Sequence, residues 1–275
     1  MLVPERFAHL APARCDLERI GNNGDGGYVV ASDSLKNSRS LVSLGIASEW
    51  SFDSAFLERQ PNCGYLACDR GSGFLVHAYS AIRGLVRLKR GWFRSSLSSA
   101  RTAFKFLQLI PPVSLSARRR FIRKWVKAQV VDVKRDVAFG DLISSISSIS
   151  STSGTQGVFL KMDIEGGEYE IIPEIVRSEV SHPGLFCGVC IEVHDINRRE
   201  AEFLDKMDSL LQHFSIVHIH ANNCVAVKSD FPDVIELTLI PRQNPGIQSR
   251  NLSLPVYGLD FPNDPRFDEI TLQFK

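Results

Sequence analysis

The sequence predicts an α/β fold: a doubly wound, mostly parallel sheet of seven strands with helices packed on it. Three observations predict it. Seven short apolar runs rich in β-branched residues recur along the chain, and their near-continuous hydrophobicity marks strands covered on both faces. Most of the intervening segments are long enough for helices, and alternating strand and helix is the pattern of a parallel sheet. The last two runs are joined by only about a dozen residues carrying "NN" and "DFP", too short for a helical crossover, so one of the pair should run antiparallel.

In chain order the predicted strands are "SLVSLGI" (40–46), "CGYLACD" (63–69), the weaker "AQVVDV" (128–133), "GVFLKMDI" (157–164), "FCGVCIEVH" (186–194), "FSIVHIH" (214–220) and "VIELTLI" (234–240). The first ends at Gly45 and the second at Asp69. Between them, "EWSFDSAFLERQ" (49–60) puts Phe52, Phe56 and Leu57 on one side of a helix. "GEYEIIPEIVRS" (167–178) does the same with Tyr169, Ile172 and Val176, although Pro173 should kink that helix or delay its start. In 198–214 the predicted apolar face runs through Ala201, Leu204, Met207 and Leu211.

Charge divides the chain unevenly. Residues 70–131 contain 14 Lys and Arg and no acid, which leaves 18 bases against 31 acids elsewhere, about −13. The stretch from 73 to 127 holds two basic helical patterns around "PP" at 111–112 and breaks the strand–helix alternation. It is expected to be a basic helical insertion within a single domain spanning 1–275. A serine-rich linker, 144–157, leads into the next strand.

No run approaches the roughly 18 apolar residues of a spanning helix, and the start, "MLVPERFAHLAP", lacks the apolar core of a secretory leader. The six cysteines form no disulfide framework, and the lone C-x-x-C of Cys187 and Cys190 lies within a strand. Buried, reduced thiols in a cytoplasmic protein are the expectation.

In an open parallel sheet, ligands bind beyond the carboxyl ends of the strands. Gly45 there allows a tight turn and close approach to a ligand, and Asp69 stands where an acid can take both hydroxyls of a ribose. Their separation is near the ~20 residues of a dinucleotide unit. No G-x-G-x-x-G and no P-loop is present, so a ribose-bearing ligand without a pyrophosphate fits better, and S-adenosylmethionine is one. One strand ends in "LKMDIEGGEYEII" (160–172), bringing Asp163, Glu165 and Glu168; the next ends in Glu192, His194 and Asp195. An acid near a helix start can act only as a cap, which suffices for Glu168. Acids and an imidazole on adjacent strands can hold a divalent cation such as Mg²⁺, through Asp163 and Glu192, or supply a general base, through a carboxylate with His194. His220, near the end of its strand, is a further candidate for lining the cleft.

At these residues the chain resembles the FkbM-type S-adenosylmethionine-dependent methyltransferases, in particular their methyltransferase-like branch. "RIGNNGDGGYVV" (19–30), "LVSLGIASEWSFD" (41–53), "LKMDIEGGEYEII", "CIEVH" and "FSIVHIHANN" carry the resemblance, which covers about 1–72 and 130–260. It implies a Rossmann-like fold. It further implies that Gly45 and the Ser48–Glu49–Trp50 turn hold the methionine and ribose side of the cofactor. Asp69 then takes the ribose hydroxyls, Asp163 lies beside the transferred methyl, and Asp25 folds back over the site. Motif one has a single glycine where many methyltransferases carry more, and the basic stretch lies outside the shared pattern.

The expected activity is O-methylation of a hydroxyl on a sugar or glycoconjugate, because a hydroxyl needs a base or a metal to become a nucleophile. The basic stretch, with Arg118–Arg120, Arg123 and Lys124 interleaved with Phe121 and Trp125, would suit an anionic membrane surface or a lipid-linked acceptor at the membrane periphery. No nucleic-acid module accompanies the charge. Two rivals stand beside this reading: a non-catalytic anion-binding or assembly protein on the same fold, and an NAD-dependent oxidoreductase.

Overall fold

The structure is a computed structural model that describes residues 1–47, 49–71, 118–146, 157–242 and 253–274. The cofactor expectation for Ser48, the helical expectation for 73–117 and most of the serine-rich linker lie outside those residues.

A short 3-10 turn (Glu5–Leu10) precedes an antiparallel hairpin of β1 (Leu17–Ile20) and β2 (Tyr28–Ala31). Next come α1 (Ser32–Asn37), β3 (Ser40–Leu44), α2 (Ser51–Arg59) and β4 (Gly64–Cys68). The middle of the chain supplies β5 (Arg119–Ile122), β6 (Trp125–Lys127), β7 (Asp136–Ala138) and α3 (Phe139–Ser145). After these come β8 (Val158–Met162), α4 (Glu168–Ser181), β9 (Phe186–Val193), α5 (Glu200–Leu211), β10 (Phe214–Ala221) and β11 (Ile235–Pro241). A short pair, β12 (Ser253–Leu254) with β13 (Leu272–Gln273), frames the C-terminal segment.

Seven strands form the central sheet in the order β10-β11-β9-β8-β3-β4-β5. Pairings from β9 through β5 are parallel, whereas β11 runs antiparallel to both β9 and β10, as its short connection requires. The chain winds outward from β3 in one direction through β4 and later in the other through β8. The order therefore reverses between β3 and β8, and a crevice opens at their carboxyl ends.

Both faces are covered, each by its own apolar cluster. Val42, Leu44, Leu160, Met162, Val189 and Ile191 point to the side of α3, α4 and α5. Their neighbours Leu41, Tyr65, Phe159 and Cys190 point to the side of the hairpin, α1 and α2. Period-two alternation with apolar residues on both faces is why these strands read as unbroken hydrophobic runs. All six cysteines are free thiols, and burial pushes Cys63, Cys68 and Cys190 up to about 12.

Several expectations are corrected. The basic stretch does not continue as helix to residue 127: Arg119–Ile122 is the edge strand β5, paired with β4 and so part of the sheet, not an insertion into it. The predicted strand at 128–133 is a turn between β6 and β7. Pro173 does not delay α4, which starts at Glu168 and runs through it. In α5 the buried face is Phe203, Met207 and Leu210, with Leu204 and Leu211 on its flanks and Ala201 exposed. The hairpin strands escaped the periodicity reading because four residues each are too short to show a period.

Candidate active site

Gly45 follows β3 with φ +73°, a left-handed conformation that favours glycine. A Cβ there would lie 1.6 Å from the carbonyl oxygen of Asp163, so the backbones leaving β3 and β8 are in direct contact. Lys161, nearly buried, donates to the Gly45 carbonyl (2.9 Å) and pairs with Asp163 (3.4 Å), which ties the same two strand ends together. Burial opposes the charge on Lys161, but the Asp163, Asp53 and Glu192 carboxylates outweigh it and raise its pKa. Among the described residues, three non-glycine residues have positive φ, namely Ala47, Glu165 and Asp195, and each lies just beyond β3, β8 or β9. Such strain persists only where surrounding structure fixes it, and it concentrates at functional sites.

Two cavities meet at this junction. The larger, about 920 Å³, is lined by Gly45, Ala47, Asp69, Asp163, Gly166 and residues of β6, including Trp125 and Val126. Asp69 accepts hydrogen bonds from Ala47 N and Gly71 N, both 2.6 Å, which fixes its orientation after β4. The smaller, about 350 Å³, lies on the hairpin side and is lined by Asp25, Tyr28, Glu49, Lys161, Glu192, His194 and Asn222 among others. Gly45, Ala47, Asp163 and Glu165 border both.

The smaller cavity is strongly acidic. His194 Nε2 stands 3.6 Å from Glu165, 3.9 Å from Glu192 and 4.0 Å from Asp163. Its Nδ1 lies 3.3 Å from Glu168, whose fully buried carboxylate also accepts from Ile164 N and Gly166 N at 2.9 Å. Glu168 therefore shapes the 163–167 turn and orients His194, a role beyond capping. Burial alone would depress the His194 pKa; the Glu168 hydrogen bond and the surrounding carboxylates raise it instead. Glu192 is raised by burial and by the charges of Asp163 and Glu236, while Asn222 donates to it at 2.7 Å and Tyr28 at 3.3 Å. Asp25 is raised by burial and by Asp163, Glu236 and Glu49. Among the described residues, Asp163, Glu192 and His194 are the one group whose donor atoms all lie within 4.8 Å of one another and could hold a metal ion.

The hairpin forms one wall of this cavity. Arg19 donates to the carbonyls of Asn22 (2.6 Å), Gly24 (2.8 Å) and Gly27 (3.1 Å), folding the "GNNGDGG" loop inward so that Asp25 lines the cavity. A Cβ on Gly26 would strike the Glu49 side chain at 2.2 Å, so the loop packs directly on the residues after β3.

Three expected residues lie elsewhere. Trp50 is 5 % exposed and packs in the core beneath α2, lining neither cavity. Asp195 points outward to Arg198 (2.6 Å). His220 is held by Glu236 (3.2 Å) and Glu269 (3.0 Å), away from both cavities. The reason is registry: Glu236 stands opposite Glu192 on one side and His220 on the other, so the row continues past the cavity beneath the C-terminal segment. Sequence reasoning missed Tyr28 and Lys161 as cavity-lining residues; Lys161 was legible as the lone charge in a buried strand.

Residues 144–217 match the methyltransferase FkbM domain. The match runs from the end of α3 into β10 and includes Asp163, Glu192 and His194. No curated protein matches this chain. Among solved structures, a putative O-methyltransferase from Klebsiella pneumoniae is 10% identical over 75% of this chain and 74% of its own, with a TM-score of 0.35. The O-methyltransferase TomG from Streptomyces achromogenes, solved with S-adenosylmethionine, is 12% identical over 75% of each chain, with a TM-score of 0.34. Likeness at this level transfers no function; the strand order above stands without it. No helix among the described residues is long and apolar enough to cross a membrane.

Proposed function

We propose that this chain, which matches the methyltransferase FkbM domain over residues 144–217, is an S-adenosylmethionine-dependent methyltransferase that methylates a hydroxyl of a sugar or glycoconjugate. The cofactor occupies the larger cavity and the acceptor the smaller, with Asp163 between them. The observation that carries this reading is the shared border at Gly45, Ala47, Asp163 and Glu165. A donor bound in one cavity can present its methyl to an acceptor in the other only there.

When bound, the cofactor supplies an electrophilic methyl on a sulfonium sulfur. Gly45, lacking a side chain, lets it approach the β3 end, and Asp69 takes its ribose hydroxyls. Gly45, Asp69 and Asp163 would hold that methyl in line for transfer to the acceptor oxygen, with the sulfonium sulfur as the leaving group. The chain's contribution to that step is alignment and exclusion of water. The hydroxyl must also lose its proton, and the acidic cluster serves this need. His194 Nε2 stands too far from Asp163 and Glu192 for direct hydrogen bonds. Those spacings are within the span of two ligands on one ion at metal–oxygen distances of roughly 2.0–2.6 Å. Asp163, Glu192 and His194 would thus hold a divalent cation that binds the acceptor's hydroxyls; in its absence a carboxylate beside His194 is the base. The excess of carboxylates disfavours an anionic group in this cavity and suits a polyol that donates hydrogen bonds or shares the cation.

The test is a screen with isotope-labelled methyl donor against glycans, lipid-linked sugars and small polyols, with and without Mg²⁺ and chelator. Asp163→Asn and His194→Ala should each lower turnover by about 10²–10⁴-fold while leaving S-adenosylhomocysteine affinity within a few fold. Full turnover by either variant on the true acceptor overturns the catalytic assignment.

A further inference from the structure

The turn joining β6 to β7 shows its apolar side chains to solvent. Val131 is 90% exposed, Val133 73%, Trp125 47% and Val130 37%. The exposure is built in, because a hydrogen-bond network holds the turn in this shape. The buried Asp136 accepts from Val131 N (3.2 Å) and Asp132 N (2.8 Å), and Asp132 accepts from Lys134 N (2.9 Å). Trp125 N donates to the Arg135 carbonyl (2.7 Å), Ala128 N donates to Glu170 (2.8 Å) and Lys124 Nζ donates to the Val133 carbonyl. Turning the valines inward would break these bonds.

The surrounding charge is one-sided. From Arg118 to Arg135 there are eight basic residues and one acid, Asp132. Arg118, Arg123, Lys134 and Arg135 are exposed, and Lys127 pairs with Glu170 (3.1 Å). An apolar tip alone would bind a membrane weakly, and so would a basic patch alone. Stable attachment to a membrane takes two such signals acting together.

We propose that the β6–β7 turn docks on an anionic phospholipid surface, with Val131 and Val133 entering the interfacial region and the neighbouring Lys and Arg side chains meeting the headgroups. A nucleic acid would use the cations but has no use for the valines, and the structure offers both within one turn. Trp125 and Lys127 also line the larger cavity, so docking places that cavity beside the membrane. The proposal does not rest on the identity of the acceptor.

Sedimentation with phosphatidylcholine vesicles, alone and with about 30% phosphatidylserine, tests it. The wild-type chain should partition about tenfold or more in favour of the anionic vesicles and be released by high salt. Val131→Asp with Val133→Asp, and separately Lys134→Glu with Arg135→Glu, should each lower anionic-vesicle binding by about tenfold or more. Both variants should melt and bind S-adenosylhomocysteine as wild type does, since these side chains line neither cavity. Equal binding to the two vesicles, or wild-type binding by the valine variant, overturns the proposal. So does tight binding of RNA in place of vesicles.

Discussion

Gly45 and Asp163 meet backbone to backbone at the carboxyl ends of β3 and β8, where no side chain fits between them. This contact closes the crevice at the reversal of strand order, and both cavities are built around it. Gly45→Ala adds a strained left-handed alanine, about 1–2 kcal/mol, and an overlap with main chain that costs about 1–3 kcal/mol more. The variant should unfold at lower denaturant, by about 2–5 kcal/mol in all, and lose measurable affinity for S-adenosylhomocysteine. A chevron-free equilibrium titration with a second ligand-binding measurement checks both.

Glu168 is a positioning residue. Glu168→Gln places an amide where two main-chain donors and His194 now face a carboxylate, leaving donors opposed in a buried site. A loss of about 1–3 kcal/mol in stability is expected. A purely structural role would stop there. Because Glu168 raises the His194 pKa, the substitution should also move the His194 imidazole titration, followed by NMR, to lower pH. An unchanged titration would show that Glu168 does not act through His194.

The C-terminal segment is strapped to the sheet through histidines. His220 bridges Glu236 on β11 and Glu269 on the strap, with Asp260 nearby on His218. Burial opposes the charge on His220, but the Glu236 and Glu269 hydrogen bonds outweigh it and push the pKa up to about 10, from an ordinary 6.5. A raised pKa stabilises the fold fully below about 6.5, and the contribution is lost as pH rises through about 10. Melting temperature should therefore fall across that window, and His220→Gln should flatten the slope. Hydrogen exchange of residues 254–274 should quicken over the same range; a parallel slope in wild type and variant would remove His220 as the cause.

How much of this was legible in the sequence follows from burial. β3, β4, β8 and β9 declare themselves because both faces are apolar, and β10 and β11 because one face is; Asp163 and Glu192, with His194 beside them, stood out because acids ending such runs have few structural uses. β5 resembled helix because an edge strand in a basic run has no continuous apolar pattern. The opposite error fell on 128–133, where "VVDV" has strand composition but forms an exposed turn; composition cannot distinguish valines facing a core from valines facing solvent. The row linking Glu192, Glu236 and His220 across strands was invisible, since it depends on register and not on spacing along the chain. Trp50 drew a ligand role from its motif, yet an aromatic ring beside a cofactor loop serves equally as core.

Calorimetry with S-adenosylhomocysteine, using NAD as the control ligand, probes the pocket at the ends of β3, β4 and β8 most directly. The prediction is one site per chain for S-adenosylhomocysteine, no heat with NAD, and affinity weakened by about tenfold or more in Asp69→Ala, as expected for loss of a charged hydrogen-bonding partner. Binding of NAD in preference, no binding of S-adenosylhomocysteine, or an Asp69→Ala variant that binds as tightly as the wild-type chain would contradict it.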